Sequence, residues 1–263
     1  MLHAILMVTL CVPDLGAAER AYVDQLGYAV ATRGPVSAAL ADSWGAPLAA
    51  GSRSLLLRAP ASPEFTLRLV ERPVMPGYAA LMTHGWNANE ILALDPEALA
   101  RRFAAPGSAF RVIGPPDPLA SNPAIVAMQA LGPAGELNYF TRLPATGGTY
   151  VKTPARSVVD RSFILVLGGP SMPEMQAFYR DVLGLAVTPS YESPVGVLQT
   201  AHGLPPDSKT PLALVPLPPG FALELDQYPP SATPRPRRTD DLPPGLAMVS
   251  FLDRKSTRLN SSH

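Results

Sequence analysis

Few side chains in this sequence can do chemistry, and their types narrow the options. There are four histidines: His3, His84, His202 and His263. No His-x-His, His-Glu-x-x-His or cysteine cluster occurs, so local spacing gives no metal site. His84 lies in the turn Thr83-His-Gly-Trp86, where solvation is expected. His202 stands in Ala201-His-Gly203, at the expected end of a strand, and is the stronger candidate for catalysis or ligation. The single cysteine, Cys11, sits in the apolar run 4–12 and reads as a small buried hydrophobe. No Gly-x-Gly-x-x-Gly loop, Walker-type loop or Gly-x-Ser-x-Gly elbow is found, so neither a nucleotide nor a serine nucleophile is indicated. Glu90, Tyr139 and Glu224 remain, each on a segment that reads as a strand. A carboxylate held away from water there would be a general-base candidate, because burial raises its pKa toward neutrality.

The elements that must position these residues come as repeats. Ala21-Tyr-Val-Asp-Gln-Leu-Gly-Tyr-Ala-Val30 matches Phe178-Tyr-Arg-Asp-Val-Leu-Gly-Leu-Ala-Val187 at six of ten positions. Phe65-Thr-Leu-Arg-Leu and Phe221-Ala-Leu-Glu-Leu share a strand period of two and a following proline. Each copy predicts a buried strand, an amphipathic helix (16–26 and 173–183) stopped by Gly27 or Gly184, and further strands. A degenerate copy lies between them, with a strand at 89–95 and a helix at 96–103 opened by proline. A fourth begins at Pro244.

Composition bounds the rest. The chain has 263 residues, 47% of them hydrophobic, enough for a sizeable core. Lys+Arg and Asp+Glu balance at 21 each, which gives no reason to expect nucleic acid or a membrane surface as partner. The run 4–12 is too short to span a bilayer and lacks the flanks of a signal peptide, so a cytoplasmic location is expected. Residues 253–263 match the translation of a common sequencing adapter without a mismatch. They are therefore expected to be foreign, with the natural fourth copy interrupted.

Val12-Pro-Asp-Leu15, Ala21-Tyr22, Leu26-Gly27 and above all Phe178-Tyr-Arg-Asp-Val-Leu-Gly184 resemble the glyoxalase / bleomycin-resistance / extradiol-dioxygenase (vicinal-oxygen-chelate) superfamily. The resemblance implies an α+β fold of paired βαβββ modules forming open barrel-like mixed sheets, with one complete pair plus one half pair. The expected division is a complete two-module domain at 1–145, a linker at 146–160, and the first module of a second domain, with the start of the next, at 161–252.

The resemblance also implies a divalent metal, held by a His on a module's first strand and a Glu or His on its last. The matching first-strand positions are Met7, Ala88 and Ile164, and the last-strand positions are Arg68, Tyr139 and Glu224. No metal is therefore expected in 1–145. Glu224 is a possible ligand in the second domain, and the cofactor is otherwise unknown. Glu90 shares the cleft-facing side with Ala88, two residues away. Arg68 is expected to point inward and to pair with Glu90 or an anionic substrate. Tyr139 and Trp86 are further ligand-binding candidates, while Trp44 is expected to pack. The charges of 229–244 are expected to be solvated.

Three functions follow from the resemblance. One is an enzyme acting on a small aromatic or carbonyl compound, dioxygenase-like or lyase/isomerase-like. Another is a metal-free binding protein of the bleomycin-resistance type. The last is a pseudo-enzyme without a ligand. A small molecule is the expected partner, with a homodimer possible through an exposed sheet face.

Overall fold

A computed structural model of the chain describes residues 2–119, 122–148, 151–218 and 220–253. The adapter-like tail, Asp253 apart, lies outside the described residues.

Three of the repeats are structural modules, and of the fourth the described residues hold only the first strand. The first runs β1 (Leu2–Val12), α1 (Leu15–Arg20), β2 (Ala29–Pro35), α2 (Ala38–Ser43), β3 (Arg53–Ala59) and β4 (Ser62–Glu71). The second runs β5 (Gly85–Ala93), α3 (Pro96–Phe103), β6 (Arg111–Leu119), β7 (Asn122–Leu131) and β8 (Leu137–Arg142). The third runs β9 (Val159–Gly169), α4 (Met172–Ala177), β10 (Tyr191–Ser193), α5 (Gly196–His202), β11 (Thr210–Leu217) and β12 (Phe221–Gln227). β13 (Gly245–Asp253) opens the fourth.

The module helices start where the sequence supplies caps. Asp14, Asp95 and Ser171 each accept a hydrogen bond from the backbone N–H three residues on. In the two best-matched copies the helix loosens into a π-type turn at the same place, Ala21–Gln25 and Phe178–Val182. The repeat is thus structural as well as sequential.

The pairing of modules differs from the sequence expectation. β9 of the third module lies antiparallel beside β5 of the second, giving an eight-stranded sheet in the order β10-β11-β12-β9-β5-β8-β7-β6. β1 of the first module pairs antiparallel with β13, giving a five-stranded sheet in the order β13-β1-β4-β3-β2. The complete pair is therefore modules two and three, nested inside the half pair of module one with the start of module four. Residues 1–145 do not make a self-contained pair. Repeats identify modules, but any two first strands can form the same antiparallel seam, so the sequence pattern alone does not choose the partners.

The two sheets meet through one core. Val8, Leu10, Leu55, Leu57, Leu67 and Leu69 of the five-stranded sheet join Ile91, Leu165, Leu223 and Leu225 of the eight-stranded one. The residues alternating with them, among them Glu90, Glu224 and Asp226, face the other way.

In the segment 229–244 the charges of Arg237, Arg238 and Asp240 are exposed, as expected, but Arg235 and Asp241 are not solvated. Arg235 donates to the carbonyls of His84 (3.1 Å), Pro244 (3.3 Å), Leu246 (2.8 Å) and Trp86, tying β5 to β13. Asp241, whose side chain is only 3% exposed, pairs with Arg72. For these two residues the sequence does not show the carbonyls and the cation that receive their charges. Among the described residues, no helix is long and apolar enough to cross a membrane.

Candidate functional site

The eight-stranded sheet carries an acidic group on the face opposite the shared core. Glu90 projects from β5, and Glu224 and Asp226 from β12, with β9 between them. Leu223 and Leu225 enter the core, so the period of two turns Glu224 and Asp226 to the same side. Tyr139 is the direct neighbour of Glu90 across the parallel β5–β8 pair. Thr141, two residues further along β8, donates to Glu90 Oε1 at 2.6 Å. Helix α5 covers one side of this face, where Val197 and Leu198 pack with Ala88, Val166 and Tyr228. Glu90, Thr141 and Asp226 are buried, whereas Glu224, Tyr139 and Ile164 keep partial exposure.

Burial and mutual repulsion set the protonation of these acids. Desolvation, then the charge of Glu224, pushes Glu90 up to about 8, against a smaller opposing effect from the Thr141 hydroxyl. Desolvation pushes Glu224 up to about 7, opposed by its hydrogen bond with Asp226. Asp226 is raised well above the ordinary range by desolvation and by the charge of Glu224. Asp226 Oδ1 is buried without a hydrogen-bond partner. The three carboxyls cannot all be ionised near neutrality and behave as one titrating unit.

The other sequence candidates lie elsewhere. His202 is at the C-terminus of α5, not on a strand, and Gly203 caps it in the left-handed conformation. Its Nε2 lies 2.9 Å from the Leu81 carbonyl and its Nδ1 2.7 Å from Ser231 Oγ. Both ring nitrogens are thus engaged in joining α5 to two loops. Arg68 belongs to the five-stranded sheet and does not pair with Glu90; its guanidinium lies 4.9 Å from the centre of the Trp44 ring. Trp86 packs against the shared core rather than in the acidic cleft. Cys11 is buried, and desolvation pushes its thiol up to about 12, so it stays protonated. Sequence reasoning missed Asp226 and Thr141. The signal for Asp226 was present: it stands two residues after Glu224 in an alternating strand, hence on the same face.

The revised pairing brings Ala88, Tyr139, Ile164 and Glu224 together as the four positions that correspond to metal ligands. One carboxylate, one phenol and two aliphatic side chains do not make a divalent-ion site. Among the described residues, no group of three or more His, Cys, Asp or Glu is arranged to hold a metal ion. The residues present do not fit the metal that the fold implies.

No family model and no curated protein matches the sequence. Solved structures do match. A V278E mutant of glyoxalase I from Zea mays superposes with a TM-score of 0.59 at 16% identity, covering 97% of this chain and 76% of its own. Glyoxalase I from Zea mays gives 0.58 at 16%, covering 87% and 68%. A candidate dioxygenase from Bacillus subtilis gives 0.58 at 10%, covering 98% and 73%. With a complete pair of βαβββ modules in the eight-stranded sheet and these neighbours, the chain has the fold of the glyoxalase / dioxygenase (vicinal-oxygen-chelate) superfamily.

Proposed function

We propose that the cleft of the eight-stranded sheet binds a small carbonyl or phenolic compound and moves a proton on it by general acid–base catalysis, with no metal. The observation that carries this reading is the juxtaposition of Glu90, Glu224 and Asp226 on one partly solvent-reachable face beside Tyr139. Acids poised near neutrality supply both a proton donor and a proton acceptor at working pH. Glu224, the more exposed, takes the proton from a carbon next to a carbonyl. Glu90, held by Thr141, gives its proton to the carbonyl oxygen, with the Tyr139 phenol as a further donor to that oxygen. The product is the enol, and the reverse transfer at another carbon completes an isomerisation. The negative charge of the cluster selects neutral or cationic substrates.

The test is deuterium exchange. A panel of neutral hydroxy-ketones and diketones in heavy water, followed by proton NMR, is expected to lose signal at the carbon beside the carbonyl. Glu90→Gln and Glu224→Gln should slow that exchange by roughly 10²–10⁴-fold. Saturable binding of the panel without exchange would replace this reading with the sequestration alternative.

A further inference from the structure

A second pocket lies away from the carboxylates, where the ends of β1 and β4 meet the start of β13. Its volume is about 300 Å³, at the small end of ligand sites. Cys11, Arg72, Tyr78, Arg238, Asp241 and Gly245 line it. Its apolar wall includes Pro73, Met75 and Leu242. No residue of the acidic cleft takes part.

Two buried donors here lack an acceptor: Arg72 Nε–H and the Tyr78 O–H, whose oxygen is approached by the Leu246 backbone N–H. An N–H or O–H left unmatched in a protein interior forfeits its hydration with no return, so such atoms are normally satisfied by protein, water or ligand. Their neighbours are committed elsewhere. Arg72 Nη1 donates to Leu48 O (3.0 Å) and Ser52 Oγ (2.9 Å), and Nη2 to Asp241. That ion pair cancels the charges of Arg72 and Asp241. Desolvation raises Tyr78 and keeps its hydroxyl protonated. Arg238, on the exposed side, adds net positive charge. Gly245, at φ +69°, lets Tyr78 approach: an added Cβ would lie 1.9 Å from its hydroxyl oxygen.

We infer that this pocket binds a small organic carboxylate, with its charged end toward Arg72 Nε, Tyr78 and Arg238 and its apolar body against the proline- and methionine-bearing wall. Donors without acceptors, a net positive rim and an apolar wall ask for an acceptor-rich anion with a hydrophobic body. A neutral amide of the same shape supplies weaker acceptors and no charge. Inorganic phosphate supplies charge without a body for the wall.

The experiment is isothermal titration of the full chain with benzoate, cyclohexanecarboxylate, benzamide and inorganic phosphate. The two carboxylates should bind saturably, and benzamide at least about tenfold more weakly, since hydrogen bonds to charged groups are the stronger kind. Tyr78→Phe removes one donor at nearly constant shape and should weaken benzoate about fivefold. Arg238→Gln, on the surface, should do likewise and keeps the test alive should Tyr78→Phe not fold. Glu90→Gln should leave benzoate binding unchanged. The inference is overturned by equal binding of benzoate and benzamide, by no binding of either carboxylate, or by benzoate binding that Glu90→Gln alters and Arg238→Gln does not.

Discussion

The two sheets are built from the same module, yet their outward faces carry opposite chemistry. On the eight-stranded sheet the last strand of module three presents Glu224 and Asp226, with Glu90 across from them. On the five-stranded sheet the corresponding strand of module one presents Arg68, stacked on Trp44 and directly beside Thr9 on β1. Thr9 Oγ1 is buried there without a partner. The difference shows that the fold fixes positions while substitution sets chemistry. It also shows why the acidic cleft is the better functional candidate. Three acids forced together store electrostatic cost, and such cost persists where function uses it. The cation on aromatic of the other sheet is a packing arrangement.

The strongest challenge to treating the sheets as one molecule is to cut the tie between them. Arg235 gives four hydrogen bonds to main-chain carbonyls of β5, β13 and their flanks, and also stacks on Tyr78 at 5.2 Å. Arg235→Gln leaves most of those carbonyls without donors and should cost about 2–4 kcal/mol. Urea unfolding should show a lower midpoint, and the single transition should broaden or split as the sheets uncouple. An unchanged midpoint would mean that the shared core alone holds them.

The next largest effect is a dependence of stability on pH that belongs to one sheet only. Glu90 and Glu224 have folded pKa values above those of the unfolded chain. Between the ordinary carboxylate range and about pH 8 the folded state therefore binds more protons than the unfolded state. Stability falls as pH rises through that window and levels off above it. The slope reaches about 1.4 kcal/mol per pH unit for each full proton of difference. Asp160, held low by Ser62 and Arg156, acts in the opposite sense, but below its ordinary range and so outside the window. Urea midpoints at pH 5 and pH 8 should differ in wild type and differ less in Glu90→Gln, where Glu224 and Asp226, raised by their own desolvation, still contribute. Equal midpoints in wild type would remove the case for an electrostatically loaded cleft.

The module starts, the helix at 96–103 and the strand alternation were all legible in the sequence, because each rests on local periodicity and caps. The partners of the modules were not. A strand's outer hydrogen bonds go to whichever first strand the chain brings alongside, and β5 met β9 rather than β1. That one fact moved Glu224 from an incomplete second domain into a cleft completed by Glu90 and Tyr139. It also separated Arg68 from both. His202 was read as a strand end because Ala-His-Gly is equally a helix C-terminus, and the glycine is what caps it. Its loss should be moderate: His202→Gln forfeits the bridge between Leu81 and Ser231, costing about 1–2 kcal/mol. Proton exchange in the cleft should continue, and its abolition would return His202 to the candidate catalytic residues.

The smallest expected effect falls on the five-stranded sheet, and its smallness is the point. Arg68 is half-buried, and desolvation lowers its pKa, so burial works against its charge. The stacking on Trp44 returns about 0.5–1 kcal/mol. Arg68→Met keeps the apolar stem against Trp44 and removes a cation that sits poorly solvated. Stability should change by less than about 1 kcal/mol, with either sign, while exchange in the acidic cleft and benzoate titration stay as in wild type. A loss of exchange in this variant would mean that the two outward faces are coupled through the shared core. The five-stranded sheet would then be a regulatory partner of the cleft, not packing around it.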